Sequence, residues 1–257
     1  VVRAGLVQLG SLIDKSFLRC TTEGRYHMHE QIRQFALAQL NQSSDAARAI
    51  HRRHTAYYAA LAAAQQTVPG SVPGAASIAL FDRDLENLRL ALDHALDEND
   101  IERVTSLLES LVPYFRFKGW NQEIVSAMKQ ACSLHSTPIA LQARWQRWWS
   151  EALYHLGELS LSAQKIEGLM TWLGSPPPKT RSSLVWFLVR ESARQAIHRV
   201  FPHAAFGRAS LQRATLVEAG LALERYGQIA WFLGNKTGHL VSTSSINWLE
   251  SAGAVEF

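Results

Sequence analysis

LVQLGSLIDKSFLRCTTEGRYHMHEQIRQFALAQL, residues 6–40, changes its hydrophobic period twice, and those changes decide how the chain is read. Leu6, Leu9, Leu12 and Ile13 recur at three- and four-residue spacing, which puts them on one face of a short helix. The runs Phe17 to Cys20 and Arg25 to His29 flank Thr21-Thr22-Glu23-Gly24, a loop whose length and late glycine predict a β-hairpin. From Ile32 through Phe35, Ala36, Leu37 and Leu40 the helical period returns. Helix, hairpin, helix is the order of the back half of a winged helix, and residues 1–45 are assigned to such a partial subdomain.

The close of the hairpin is specific in its letters. Met28-His29-Glu30, followed by Gln31-Ile32-Arg33-Gln34-Phe35-Ala36, resembles the Met-His-Asp motif that closes the winged helix of STAND-class regulatory ATPases, the NB-ARC-like group with AfsR-like and LuxR-type bacterial members. Glu30 stands where the family often has Asp, a replacement common in bacterial members. The resemblance implies that His29 meets the β-phosphate of ADP in a longer parent protein and helps to hold it inactive. It continues at Asp84-Leu85-Glu86-Asn87-Leu88-Arg89-Leu90-Ala91-Leu92, which is similar to the first scaffold helix after the winged helix in those regulators. Read without it, Met28 is a core side chain and His29 a polar group at a helix start.

The phosphate-binding half of such an ATPase is not legible in these residues. No G-x-x-x-x-G-K-S/T occurs, so no loop of backbone amides with a following lysine cradles phosphates. Gly234-Asn235-Lys236-Thr237-Gly238 comes nearest, but Asn stands before the lysine and an apolar helical run precedes it where a strand should be. The chain starts at Val1 without an initiator Met, and Ala254-Val255-Glu256-Phe257 is not the polar cap a solenoid end needs, so a fragment is expected, its ATPase core upstream. ATP and ADP are then ligands of the parent, with the upstream nucleotide domain as partner in cis.

Composition describes a chain with ample core. It has 257 residues, 47% hydrophobic, with 8 Trp, 10 Phe and 6 Tyr, and no apolar run near the roughly 20 residues of a membrane span or a signal peptide. Two cysteines, Cys20 and Cys132, make neither a disulfide framework nor a C-x-x-C metal site, which fits a reducing cytoplasm. The net charge of +4 is spread along the chain. Its densest patch, Arg48, His51, Arg52, Arg53 and His54, reads as a solvated helix face, and the His51/His54 pair lacks further metal ligands at suitable spacing.

Onward the period is helical. Ala46 to Ala64 is a strong helix, Val68 to Gly74 carries two Pro-Gly pairs and is a loop, and Phe81 to Leu96 is a second amphipathic helix; residues 46–98 are read as linking helices. From Ile101 helices come in pairs. Ile101 to Phe115 turns at Lys118-Gly119-Trp120-Asn121 into a helix with Ile124 and Met128, and Thr137-Pro138 opens a second pair that turns at Gly157 and returns over Leu161 to Leu173. Leu156-Gly157, three after Leu153, echoes the tetratricopeptide first helix, although Ser160 stands where its Tyr is expected. Residues 99–175 are read as TPR-like repeats. Ser175-Pro176-Pro177-Pro178 breaks the chain before a helix with the stripe Leu184, Val185, Leu188, Val189, Ala193, Ile197 and Val200, stopped by Pro202. Its Arg190-Glu191-Ser192-Ala193-Arg194-Gln195 and His198-Arg199 resemble a long scaffold helix of bacterial signalling ATPases, some of which carry a nucleotide cyclase. Leu211 to Tyr226, Ile229 to Leu233 and Thr243 to Ala252 complete a further segment, residues 176–257. The fold class is all-α: a right-handed α-solenoid behind a partial winged helix.

No G-x-S-x-G, H-E-x-x-H or dinucleotide loop supports an enzyme. Glu151, His155 and Glu158 share a helix face and read as its polar side; Trp145, Trp148 and Trp149 are core or a surface that stacks against a partner. The function expected is a cytoplasmic, non-catalytic sensor and interaction module, whose repeats bind a protein or small-molecule effector. The alternative is DNA binding through the winged helix, disfavoured because Leu6 to Ser16 offers base edges only Gln8, Asp14 and Lys15.

Overall fold

A computed structural model describes residues 5–22, 24–65, 72–178, 180–201, 213–241 and 243–254. The chain divides into two units: residues 1–68 with 74–110, and residues 69–73 with 111–257.

In the first unit, α1 (Leu6–Asp14) leads into β1 (Leu18–Cys20) and β2 (Tyr26–Met28), antiparallel with Leu18 opposite Met28, Arg19 opposite His27 and Cys20 opposite Tyr26. Then come α2 (Glu30–Asn41), α3 (Ser44–Ala63) and α4 (Ala75–Asp97). Of the Pro-Gly loop expected over 68–74, residues 68–71 lie outside those described, and 72–74 are non-helical. α3 packs along α4, with Ala59 and Ala62 of α3 and Phe81, Leu88, Ala91 and Ala95 of α4 all buried. α5 (Ile101–Lys118) begins in this unit with Val104, Leu107 and Leu108 fully buried. Its Ser106 and Ser110 hydroxyls donate to the carbonyls of Ala59 and Ala62 (3.5 and 2.9 Å), adding a second donor at Ala62, which also accepts from the Gln65 amide.

The hairpin and its flanking helices are placed as the alternating periods predict, but α1 and α2 bury no side chain. Leu6 is 84% exposed, Val7 87% and Phe35 65%, while Leu9, Leu12, Ile32 and Leu40 of the expected stripes are half-buried. Met28 is also exposed, which corrects its reading as a core residue.

The second unit holds α6 (Asn121–Ala131), α7 (Ile139–His155), α8 (Leu159–Trp172), α9 (Arg181–Val200), α10 (Arg213–Phe232), α11 (Lys236–Val241) and α12 (Ser244–Ser251). The two expected helical turns form at Gly119 (φ 74°) and Gly157 (φ 82°), a left-handed conformation that glycine adopts without steric cost. α7 and α8 touch through buried serines: Ser150 donates to the carbonyl of Ser162 (3.0 Å), Ser162 to that of Ser150 (2.7 Å), and the hydroxyls lie 2.9 Å apart. Only residues 156–158 separate the two helices, so a pair in side-by-side contact runs antiparallel.

Beyond α8 the regular stacking of hairpins fails. α10, rather than the next helix in the chain, packs along both α7 and α8, and α9 crosses to α11 and α12. Much of the stripe expected to bury α9 is exposed, Val185 (61%), Val189 (54%), Ile197 (55%) and Val200 (66%), and buried Phe187 with half-buried Leu188 makes the apolar contact at its start. Farther along, the inward face is polar. Buried Glu191 accepts from the Asn247 amide (2.9 Å), and His198 Nδ1 lies 2.7 Å from Glu250 of α12. The two helices expected over 211–226 and 229–233 are one, Arg213–Phe232, with Leu211 outside the described residues. Gly220 explains the close seat of α12: a Cβ there would lie 2.8 Å from Leu249.

Candidate functional site

His29 is the N-cap of α2, with extended backbone (φ −61°, ψ 140°), and its Nδ1 accepts from the amide of Gln31 at 3.4 Å. A neutral ring with Nδ1 accepting carries its proton on Nε2, so His29 is exposed with a donor to offer. Beside it Glu30 accepts from Arg33 (2.6 and 2.8 Å) and from Gln34 (2.9 Å), and these bonds, Arg33 first, hold its carboxyl down at about 2. Met28 ends the strand, His29 caps and Glu30 opens the helix, so each letter of the motif has a local structural task.

A charge pair ties the hairpin to the scaffold. Arg25, at the foot of β2, donates to Asp84 Oδ1 (2.6 Å), and Arg83 donates to Oδ2 (2.9 Å). Asp84 is buried at a kink in α4 (φ −111°, ψ 15°). Burial by itself would raise its pKa, but the bonds from the two guanidiniums outweigh it and leave the carboxyl below its ordinary 3.8. A depressed carboxylate stabilises the fold above its unfolded pKa and ceases to do so as pH falls through the folded value. Asp84→Asn should therefore cost about 1–3 kcal/mol at neutral pH and nothing further in acid. Hydrogen exchange at the amides of 26–28 should quicken in the variant, and unchanged exchange would remove the tether.

The three tryptophans do not form one stacking surface. Trp145 is fully buried and Trp148 nearly so, the core alternative of the two readings; Trp149 alone is half-buried, with Lys165 Nζ 3.3 Å above its ring centroid. Near Lys165 a cavity of about 480 Å³ opens between the loop before α7 and the outer faces of α7 and α8. Cys132 lies outside its lining and is inert as a nucleophile, its thiol pushed up to about 12 by burial.

Glu151 is not a plain polar-face residue. It pairs with Arg116, Arg147 (3.5 Å) and Arg225 (3.3 Å), and Arg147 and Arg144 also pair with Glu218 (2.7 Å each), joining α5, α7 and α10. His155 and Glu158, read with it from spacing, are exposed. Partners 71 to 74 residues apart leave no periodic signal, and only an excess of Arg on one face of α7 hints at them. Gly234–Gly238 is also resolved: Asn235 Oδ1 accepts from the Gly238 amide (2.9 Å), a cap for the six-residue α11. Among the described residues no group of three or more His, Cys, Asp or Glu could hold a metal.

Comparison with known proteins adds one relationship. Over 111 residues, 42% of the chain, it is 34% identical to proteins of Mycobacterium bovis and of two strains of Mycobacterium tuberculosis that carry the provisional name HTH-type transcriptional regulator. The similarity is to regulators. The chain spans only 12% of the length of these relatives. No protein-family profile matches it, and no solved structure does. No helix among the described residues is long and apolar enough to cross a membrane.

Proposed function

We infer that the chain is a non-catalytic regulatory module of a larger signalling ATPase, in which the hairpin and His29 respond to nucleotide state and the helices of the second unit bind an effector. The observation that carries this reading is the Met28-His29-Glu30 turn, with an exposed histidine donor, tied through Arg25–Asp84 to a scaffold helix. Exposed Leu6, Val7 and Phe35 beside it offer apolar surface for a nucleotide domain in cis. The effector acts by binding the open state better than the closed one, which is the only way a ligand shifts such an equilibrium. Similarity to proteins named as transcriptional regulators supports the regulatory half of the reading.

The same similarity favours a second reading, direct DNA binding by this chain. A gel shift across a salt series, with calorimetry on ADP, separates the two. The sensor reading expects no retained DNA at physiological salt and a flat titration with ADP, because the phosphate-binding loop is not in this chain. Retention that weakens steeply as salt rises would instead reveal neutralised phosphates and replace the sensor by a DNA-binding module.

A further inference from the structure

We propose that the cavity between α7 and α8 is a binding site for a small planar aromatic carboxylate, held by Lys165 and by the side-chain amide of Gln146. At about 480 Å³ it falls in the range of small-molecule sites. Its chemistry is one-sided. Lys165 is the only charged residue among those lining it, and no carboxylate among the described residues pairs with that ammonium, which rests on the face of Trp149. A cation–π contact leaves ammonium hydrogens to donate, and one cation matches one negative charge. Gln142 is already engaged: it donates to the Cys132 carbonyl (3.1 Å) and its Oε1 is enclosed, so it shapes the wall, and Gln146 is the lining amide offered beside Lys165. The apolar wall is Leu169 and the half-exposed ring of Trp172, which suits a flat ring better than a flexible chain.

Gly168 points the same way independently. It lies inside α8, where glycine is the poorest ordinary helix former, and a Cβ built on it meets nothing within 4 Å. Packing does not require it. Its missing side chain leaves the cavity open.

The site stands on its own geometry; only its identification as the effector site rests on the regulatory reading, and the test makes no use of signalling. The 257-residue chain is titrated calorimetrically with indole-3-carboxylate, with the neutral indole-3-carboxamide and with hexanoate. Indole-3-carboxylate should bind, and each of the other two at least tenfold more weakly, one for lack of charge and the other for lack of a ring. Lys165→Met should lose at least tenfold for the acid while leaving the weak amide unchanged. Gly168→Leu should fill the cavity and abolish binding with the helical circular dichroism and melting temperature retained or raised, since leucine favours the helix. No binding of the acid at millimolar concentration, or binding that Gly168→Leu leaves intact, overturns the proposal.

Discussion

Glu151→Ala should destabilise the second unit by about 3–5 kcal/mol, the expected cost of leaving enclosed charges without their counter-ion. Glu151 is 15% exposed at its side chain, and the guanidiniums around it, Arg116, Arg147 and Arg225, are 30%, 17% and 27% exposed. Burial pushes the Glu151 pKa up, yet the three arginines bring it below the ordinary carboxylate value, so attraction exceeds desolvation at this position. Without Glu151, Arg116 and Arg225 lose their carboxylate partner, Arg147 keeps Glu218, and Arg116 Nε already lacks a partner. For a chain of this size the melting temperature should fall by about 10 °C, at about 2–4 °C per kcal/mol. Arg225→Ala, which leaves Glu151 paired with Arg116 and Arg147, should cost about 1 kcal/mol. A fall below about 2 °C for Glu151→Ala would mean that solvent screens the network and that apolar packing alone holds α7 to α10.

The second large effect belongs to His29 in the parent protein and rests on the nucleotide-sensing reading. An imidazole N–H to a phosphate oxygen is a charge-assisted bond of about 1.5–3 kcal/mol, made only in the closed ADP state. Its loss should move the closed-to-open ratio about ten- to a hundredfold toward open, and His29→Ala should signal without effector. The capping role is a competing explanation, because the ring also accepts from Gln31. His29→Asp separates them: aspartate caps a helix well but repels phosphate, so it too should signal. A silent aspartate variant with normal ADP retention would reduce His29 to a cap.

The elements that spacing located are those whose signals are local. Gly119 and Gly157 mark the two helical turns because a left-handed residue is required at each, and the return of the 3.6 period at Ile32 marks α2. Apolar period says which residues share a face but not which face turns inward. On α9 the inward face carries Phe187, Glu191 and His198, the last two held by partners more than 50 residues away, and leaves most of the apolar stripe outside. The division of α10 into two failed for a related reason: Gly220 lets α12 approach, and buried Gly227 is carried within a helix packed on α7, α8 and α12. Asp84 reads as an ordinary helix residue until Arg25, 59 positions away, is seen against it.

The crossed serines of α7 and α8 limit how this protein can carry a signal. Sliding one helix along the other would break both of these bonds inside a buried seam, which opposes the motion. The pair is keyed, like a shaft and its collar. Shear, the usual small motion of packed helices, is opposed here, which favours rotation of the two as one lever. Gln142 and Gln146 stand on one arm of that lever and Lys165 on the other, so a molecule gripping both is held by a frame that does not yield between them. Whatever movement follows must be taken up beyond the lever, where its far surface meets α10.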